Sequence, residues 1–183
     1  MATAVETGIL TPEHRAYLNA AAITDPVLEA AGVRSVPDGI AFPYRSEDGA
    51  EVVNFRPDQP SPGGPKYMWP AGVPLVFNVL RDSGRGPVLV VEGTKQALAV
   101  ASWAPADYAV YGMNGCWGWS KCDLEPFEHR TVFIVLDGDA ADSSDVYTAG
   151  SRFAEALEVG GAEALFVRLP VQGKDGADDW LSA

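Results

Sequence analysis

Residues 88–93, VLVVEG, and residues 131–139, TVFIVLDGD, decide how this chain reads. Each is a short aliphatic run that ends on an acid and a glycine. The first is followed by a helix pattern, TKQALAVASW, and two more apolar runs, YAVYGM and EALFVRL, complete a set of four. Between the last two, Val146, Ala149, Phe153, Ala156 and Leu157 recur at helical spacing and Gly160-Gly161 ends the segment. Near-continuously apolar strands alternating with helices predict an α/β unit whose four-stranded parallel sheet is flanked by helices. In such sheets functional groups gather at the carboxyl ends of the strands. That is where the acids lie.

Working outward, residues 11–32 predict two short helices. Thr11-Pro12-Glu13 opens the first, Thr24-Asp25-Pro26 opens the second, and Gly32 closes it. GIAFPYRS and AEVVNFR, joined by Glu47-Asp48-Gly49, predict a hairpin. PDQPSPGGP, residues 57–65, predicts an exposed loop, and KYMW and PLVFNVL predict further short strands. The division expected is a small α+β subdomain over residues 1–85 and the α/β domain over 86–183, parted at the turn 83–86.

The chain of 183 residues has a formal net charge of −12, and residues 96–183 carry five basic against fourteen acidic side chains. Phosphate affinity comes mainly from cations that release counterions, so a chain this acidic is a poor stand-alone binder of nucleic acid. No apolar run approaches the roughly 20 residues of a membrane span, and the first ten residues lack the pattern of a secretion signal. Two cysteines, Cys116 and Cys122, cannot build a disulfide framework or a four-ligand zinc site and read as packing residues. A cytoplasmic protein is expected. His14 and His129 do not support a Ser-His-Asp arrangement, and neither a phosphate-binding GxxxxGK[ST] nor a dinucleotide fingerprint occurs.

Glu92 ends the first run; Gly93 lets the chain turn sharply, and Thr94 can cap the helix that follows. Asp137 and Asp139 are two apart, so an extended backbone points both to one side. Two carboxylates about 4 Å apart repel by roughly 4 kcal/mol at an effective dielectric near 20, and a third acid adds to this unless a cation sits among them or one takes up a proton. Mg²⁺, which takes a few carboxylates plus water and phosphate oxygens, is the natural guest. Each element alone has a plain alternative: a solvated Asp-Gly-Asp turn, an ordinary acid at a strand end, and helix caps among Asp175, Asp178 and Asp179. CWGW, residues 116–119, reads as filler at the edge of the core, the alternative being that Trp117 or Trp119 stacks on a nucleobase.

The order VVEG, a strand, VLDGD and then LP-x-x-GKD resembles the TOPRIM domain shared by topoisomerases, bacterial-type primases and some nucleases. The hairpin with its FP-x-x-x-x-x-G spacing and arginine, followed by PKY, resembles the small subdomain that precedes it in replicative primases; together they cover residues 39–181. The EG-x-K start and DDWL ending are similar to phage and mobile-element primase-like proteins. The resemblance implies a nucleotidyltransferase core making RNA primers on single-stranded DNA from NTPs with Mg²⁺ or Mn²⁺. Glu92 would be the catalytic acid/base and Asp137 and Asp139 metal ligands, with Asp175 or Asp178 as a further one. Arg56, Lys66 and Lys95 would contact nucleic acid. A metal-dependent nuclease using the same acids and a non-catalytic docking module are the alternatives. The chain departs from the pattern at Gln96, where an acid is usual and a second metal would want one, and at Asn78, where a basic residue is common. No zinc-binding or helicase-interaction domain is matched, which implies a core that works with a helicase or with further domains.

Overall fold

Thr11 and Pro12 do what their positions require: the Thr11 hydroxyl accepts from the His14 amide and caps α1, Pro12–Asn19. In the computed structural model, which describes residues 9–45, 51–171 and 173–183, α2 follows at Asp25–Ala30. Gly32 then turns at φ +68° into β1, Arg34–Val36. The expected hairpin pairs β2, Gly39–Arg45, antiparallel with β3, Glu51–Pro57, placing Ile40 opposite Arg56 and Tyr44 opposite Val52. Its turn, Glu47-Asp48-Gly49, lies outside the described residues. With β1 these strands form a three-stranded sheet.

The PKYMWP stretch makes only a bridge, Phe55 to Met68, where a strand was expected. From PLVFNVL only Asn78–Arg81, β4, becomes a strand, and it joins the second sheet rather than the first. That sheet contains β5, Val88–Glu92; β6, Ala109–Met113; β7, Thr131–Val135; and β8, Glu163–Val167. Its order is β4-β6-β5-β7-β8, with four strands parallel and β4 antiparallel on β6. The expected four-stranded parallel sheet is thus a five-stranded mixed one. Its parallel part comes from the four apolar runs; β4, the end of the predicted PLVFNVL strand, adds an antiparallel edge with a shifted register. Asn78, expected near a basic ridge, is buried in β4.

The alternation within β5 assigns each face of the sheet to a helix. Val88 and Val90 join Ile134, Tyr111, Phe153 and Leu157, the last two from α4, Ser144–Val159. Val91 joins Val110, Val135 and Ala97 of α3, Thr94–Trp103, with Ala177 of α5, Ala177–Ser182. The other side of α3 gives Leu98 and Ala99 to a core built from Leu18, Leu28, Ile40 and Phe42. So α3 is a middle layer, covered by the large sheet on one side and by the amino-terminal elements on the other.

Thr94 locks that arrangement. It is the first helical residue rather than the expected cap; Gly93, at φ +84°, holds the cap position. The buried Thr94 hydroxyl instead meets the Tyr44 hydroxyl at 2.7 Å and accepts from the Asn54 amide at 2.9 Å. Burial pushes the Tyr44 phenol up to about 12 despite these bonds. Thr94→Val keeps the shape but orphans two buried polar groups, so a loss of about 2–4 kcal/mol is expected in urea unfolding. A loss below about 0.5 kcal/mol would show that the contact adds nothing.

Candidate active site

Three carboxyl ends lie side by side because β6, β5 and β7 are neighbours. The chain leaves β5 through α3 for β6 on one side, while β7 lies on the other, which makes the end of β5 a switch point of the topology. Glu92 stands on it, half-buried. Its carboxylate accepts from the backbone amides of Asp137, just past β7, and Cys116, in the loop after β6. Its Oε2 is buried without a hydrogen-bond partner. Burial first, and then the charges of Asp137 and Asp139, push Glu92 up from 4.5 to about 7. Burial likewise raises Asp137, helped by Asp139 and only partly offset by a hydrogen bond from Gln96.

Gln96, in the first turn of α3, holds two elements together. Its Nε2 donates to Asp137 Oδ1 at 2.5 Å and its Oε1 accepts from the Ala177 amide at 3.0 Å, at the start of α5. Gly176 has no room for a side chain here, since a Cβ would lie 2.1–2.4 Å from the Gln96 amide group. Gly138 donates its amide to the Asp175 carbonyl at 2.9 Å, tying the turn after Asp137 to the segment before α5.

The remaining acids are engaged in different ways, although the charges of Asp178 and Asp179 also help to raise Asp137. Asp178 is buried and paired with Lys95 at 2.8 Å, so its charge is already answered. Burial disfavours the Lys95 ammonium, but the hydrogen bond and charge of Asp178 outweigh this and raise its pKa. Asp175 is exposed and contributes its backbone; Asp179 accepts from the Gly176 amide as a helix-capping acid. Among the described residues no three histidine, cysteine, aspartate or glutamate side chains converge closely enough to form a ready-made metal cluster. Glu92 and Asp137 nevertheless suit Mg²⁺, which needs only one or two carboxylates and fills its remaining positions with water and phosphate oxygens. The unpartnered Glu92 oxygen and the upward push on both acids are the marks of a site short of positive charge.

A second group of residues, the nucleic-acid contacts expected from sequence, spreads along the amino-terminal side. The Arg56 guanidinium lies 4.6 Å, and the Lys95 ammonium 5.4 Å, from the centre of the Tyr17 ring. Tyr17 belongs to α1, and no spacing in the sequence signals that both cations lie against its ring. Lys66 is exposed on the loop before the Met68 bridge.

The same architecture occurs in primase catalytic cores. The DnaG catalytic core matches with a TM-score of 0.65 at 15% identity, covering 91% of this chain and 67% of that one. The primase fragment of the bacteriophage T7 primase-helicase matches at 0.63 and 17%, covering 88% and 66%. The zinc-binding and RNA polymerase domains of Aquifex aeolicus primase match at 0.60 and 15%, covering 93% and 52%. The chain therefore spans about half to two thirds of the length of these structures. No curated protein matches it. Residues 77–183 match the family described as a domain of unknown function, DUF3854, and the chain belongs to that family. Among the described residues no helix is long and apolar enough to cross a membrane.

Proposed function

We propose that this chain is a TOPRIM-type primase core, a nucleotidyltransferase that joins ribonucleotides on a single-stranded DNA template with Mg²⁺ or Mn²⁺. The observation that carries the reading is Glu92: a half-buried carboxylate at a topological switch point, pushed to about 7, with one unpartnered oxygen beside Asp137 and Asp139. A general base works best when its pKa lies near the working pH, so Glu92 is suited to take a proton from a sugar hydroxyl. In that step the hydroxyl oxygen bonds to the α-phosphorus of a nucleoside triphosphate, the bond to the β-phosphate bridge breaks, and pyrophosphate leaves.

The metal, when bound, neutralises charge developing on the phosphoryl oxygens. Asp137 and Asp139 would hold it, leaving Glu92 to take the proton. Gln96 keeps Asp137 oriented, and the Asp137 and Cys116 amides fix the Glu92 carboxylate. Arg56 and Lys66 would steady the template backbone. Lys95 serves first to neutralise Asp178, and Tyr17 aligns it with Arg56. With so few free cations, template binding should be weak and fall steeply with salt. A helicase or further domains would then supply the missing hold.

The test is incubation with a single-stranded template, ribonucleoside triphosphates and Mg²⁺ or Mn²⁺. Short products that require the template, the triphosphates and the metal, and that vanish in Asp137→Ala, are expected. Strand cleavage without triphosphates, lost in the same variant, would replace this reading with a nuclease. Template binding that survives Asp137→Ala and weakens in Arg56→Glu, with neither activity, would leave a docking module.

A further inference from the structure

The loop after β6 carries two tryptophans, Trp117 and Trp119, that the nucleotidyl-transfer reading leaves unused. Trp119 stacks on the buried Phe153 with ring centres 5.2 Å apart and planes 22° apart. Trp117 stacks on Trp119 in turn, at 6.3 Å and 25°. The series thus runs from the core outward and ends at Trp117, which is 39% exposed; among the described residues no further ring lies on it. Its orientation is held as well as its position, because the Trp117 Nε1 donates to Asp145 Oδ1 at 3.2 Å.

The loop is built to present this ring. Gly118 donates its amide to the Gly115 carbonyl at 2.9 Å, and a Cβ on Gly118 would lie 2.7 Å from the Asn114 nitrogen. The Ser120 amide bonds the Trp117 carbonyl. Cys116, the residue immediately before Trp117, is the one whose backbone amide binds the Glu92 carboxylate. The exposed ring is therefore one residue along the chain from a direct ligand of the candidate base. A hydrophobic ring that only filled the core edge would be covered, as Trp119 largely is. A flat, immobilised, solvent-facing one loses little freedom when a second flat group settles on it.

Resting on that reading, we propose that Trp117 is a stacking platform for the nucleobase of the nucleotide whose sugar faces Glu92. Base stacking on an aromatic side chain is tolerant of base identity, which suits an enzyme that must accept successive nucleotides. The base supplies the apolar contact that an acidic surface cannot supply through phosphates. The same chemistry admits two sources, a base in a strand or the base of a free nucleoside triphosphate, and two pairs of probes separate them.

The experiment measures equilibrium binding in Mg²⁺ at low salt. One pair is a twelve-residue oligothymidylate and an abasic strand of equal length and charge; the other is ATP and ribose 5-triphosphate. The wild-type chain should prefer the base-bearing member by roughly 5- to 100-fold in at least one pair, the pair identifying the source. Trp117→Ala should erase that preference while leaving the base-free probes bound as before. Trp117→Phe, which keeps an aromatic face, should retain at least about a third of it. Survival of the preference in Trp117→Ala overturns the platform alone. An equal loss for all four probes marks a structural role and also overturns it. If the wild-type chain binds none of the probes, the nucleotidyl-transfer reading falls and the platform with it.

Discussion

Glu92→Gln should make the protein more stable at pH 8 and nearly inactive. The wild-type carboxyl goes from 4.5 when exposed to about 7 when folded. The folded state therefore holds the proton more tightly than the unfolded state. Below pH 4.5 both states are protonated and the group costs nothing; the penalty grows between the two values and is complete above about pH 7. At 1.36 kcal/mol per pH unit it reaches about 3 kcal/mol in metal-free buffer. Glutamine removes the charge, keeps an oxygen for the Asp137 and Cys116 amides, and puts an NH₂ group where Oε2 is unpartnered. Urea unfolding in chelator should show a gain of about 2–3 kcal/mol at pH 8, shrinking to about 1 kcal/mol or less at pH 5. Nucleotidyl transfer should fall by about 10²- to 10⁴-fold, the usual worth of a positioned base. A gain that does not change with pH, or a variant less stable at pH 8, would remove the account of Glu92 given above.

The parts of this molecule that could be read before folding are those whose chemistry is local. VLVVEG, TVFIV and the helix patterns after each needed only strand and helix periodicity, and they became β5, β7, α3 and α4. Thr11-Pro12 predicted a helix start from capping chemistry alone, and α1 begins there. What could not be read depends on partners far away in sequence. Thr94 looks like a cap until Tyr44 and Asn54, 50 and 40 residues earlier, are brought against it. Asp178 looks like a ligand in DDWL until Lys95 is found 2.8 Å away. β4 could be read as a strand in PLVFNVL, but not its place in the second sheet, which is decided by the open edge of β6. Strand order brings Glu92, at the end of β5, near Asp137, just past β7; Asp139 lies in the short 3-10 turn Gly138–Ala141, so the extended backbone expected to point it to the same side as Asp137 is absent.

Gln96→Glu should turn a protein that stands without metal into one that leans on it. In the wild type the Gln96 amide donates to Asp137 Oδ1 while its oxygen accepts from the Ala177 amide. Glutamate keeps the second bond, so the start of α5 stays anchored. It reverses the first, setting a carboxylate oxygen against another at hydrogen-bond distance. The lost bond to a charged acceptor is worth about 1.5–3 kcal/mol. Two carboxylates about 4 Å apart repel by roughly 4 kcal/mol at a dielectric near 20. Relief by movement is restricted, because Gly176 packs directly over the Gln96 side chain and Gly138 is bonded to the Asp175 carbonyl. In chelator at pH 8 the variant should lose about 3–5 kcal/mol, the range seen when a buried charge loses its partner. At pH 5 the loss should be smaller, since one acid can then take up a proton. Millimolar Mn²⁺ should restore most of it, and should raise the unfolding midpoint of the variant by more than that of the wild type. A variant as stable as the wild type in chelator would mean that Gln96 and Asp137 are not engaged in solution. A loss that Mn²⁺ leaves untouched would mean that the added carboxylate does not face a cation site at all.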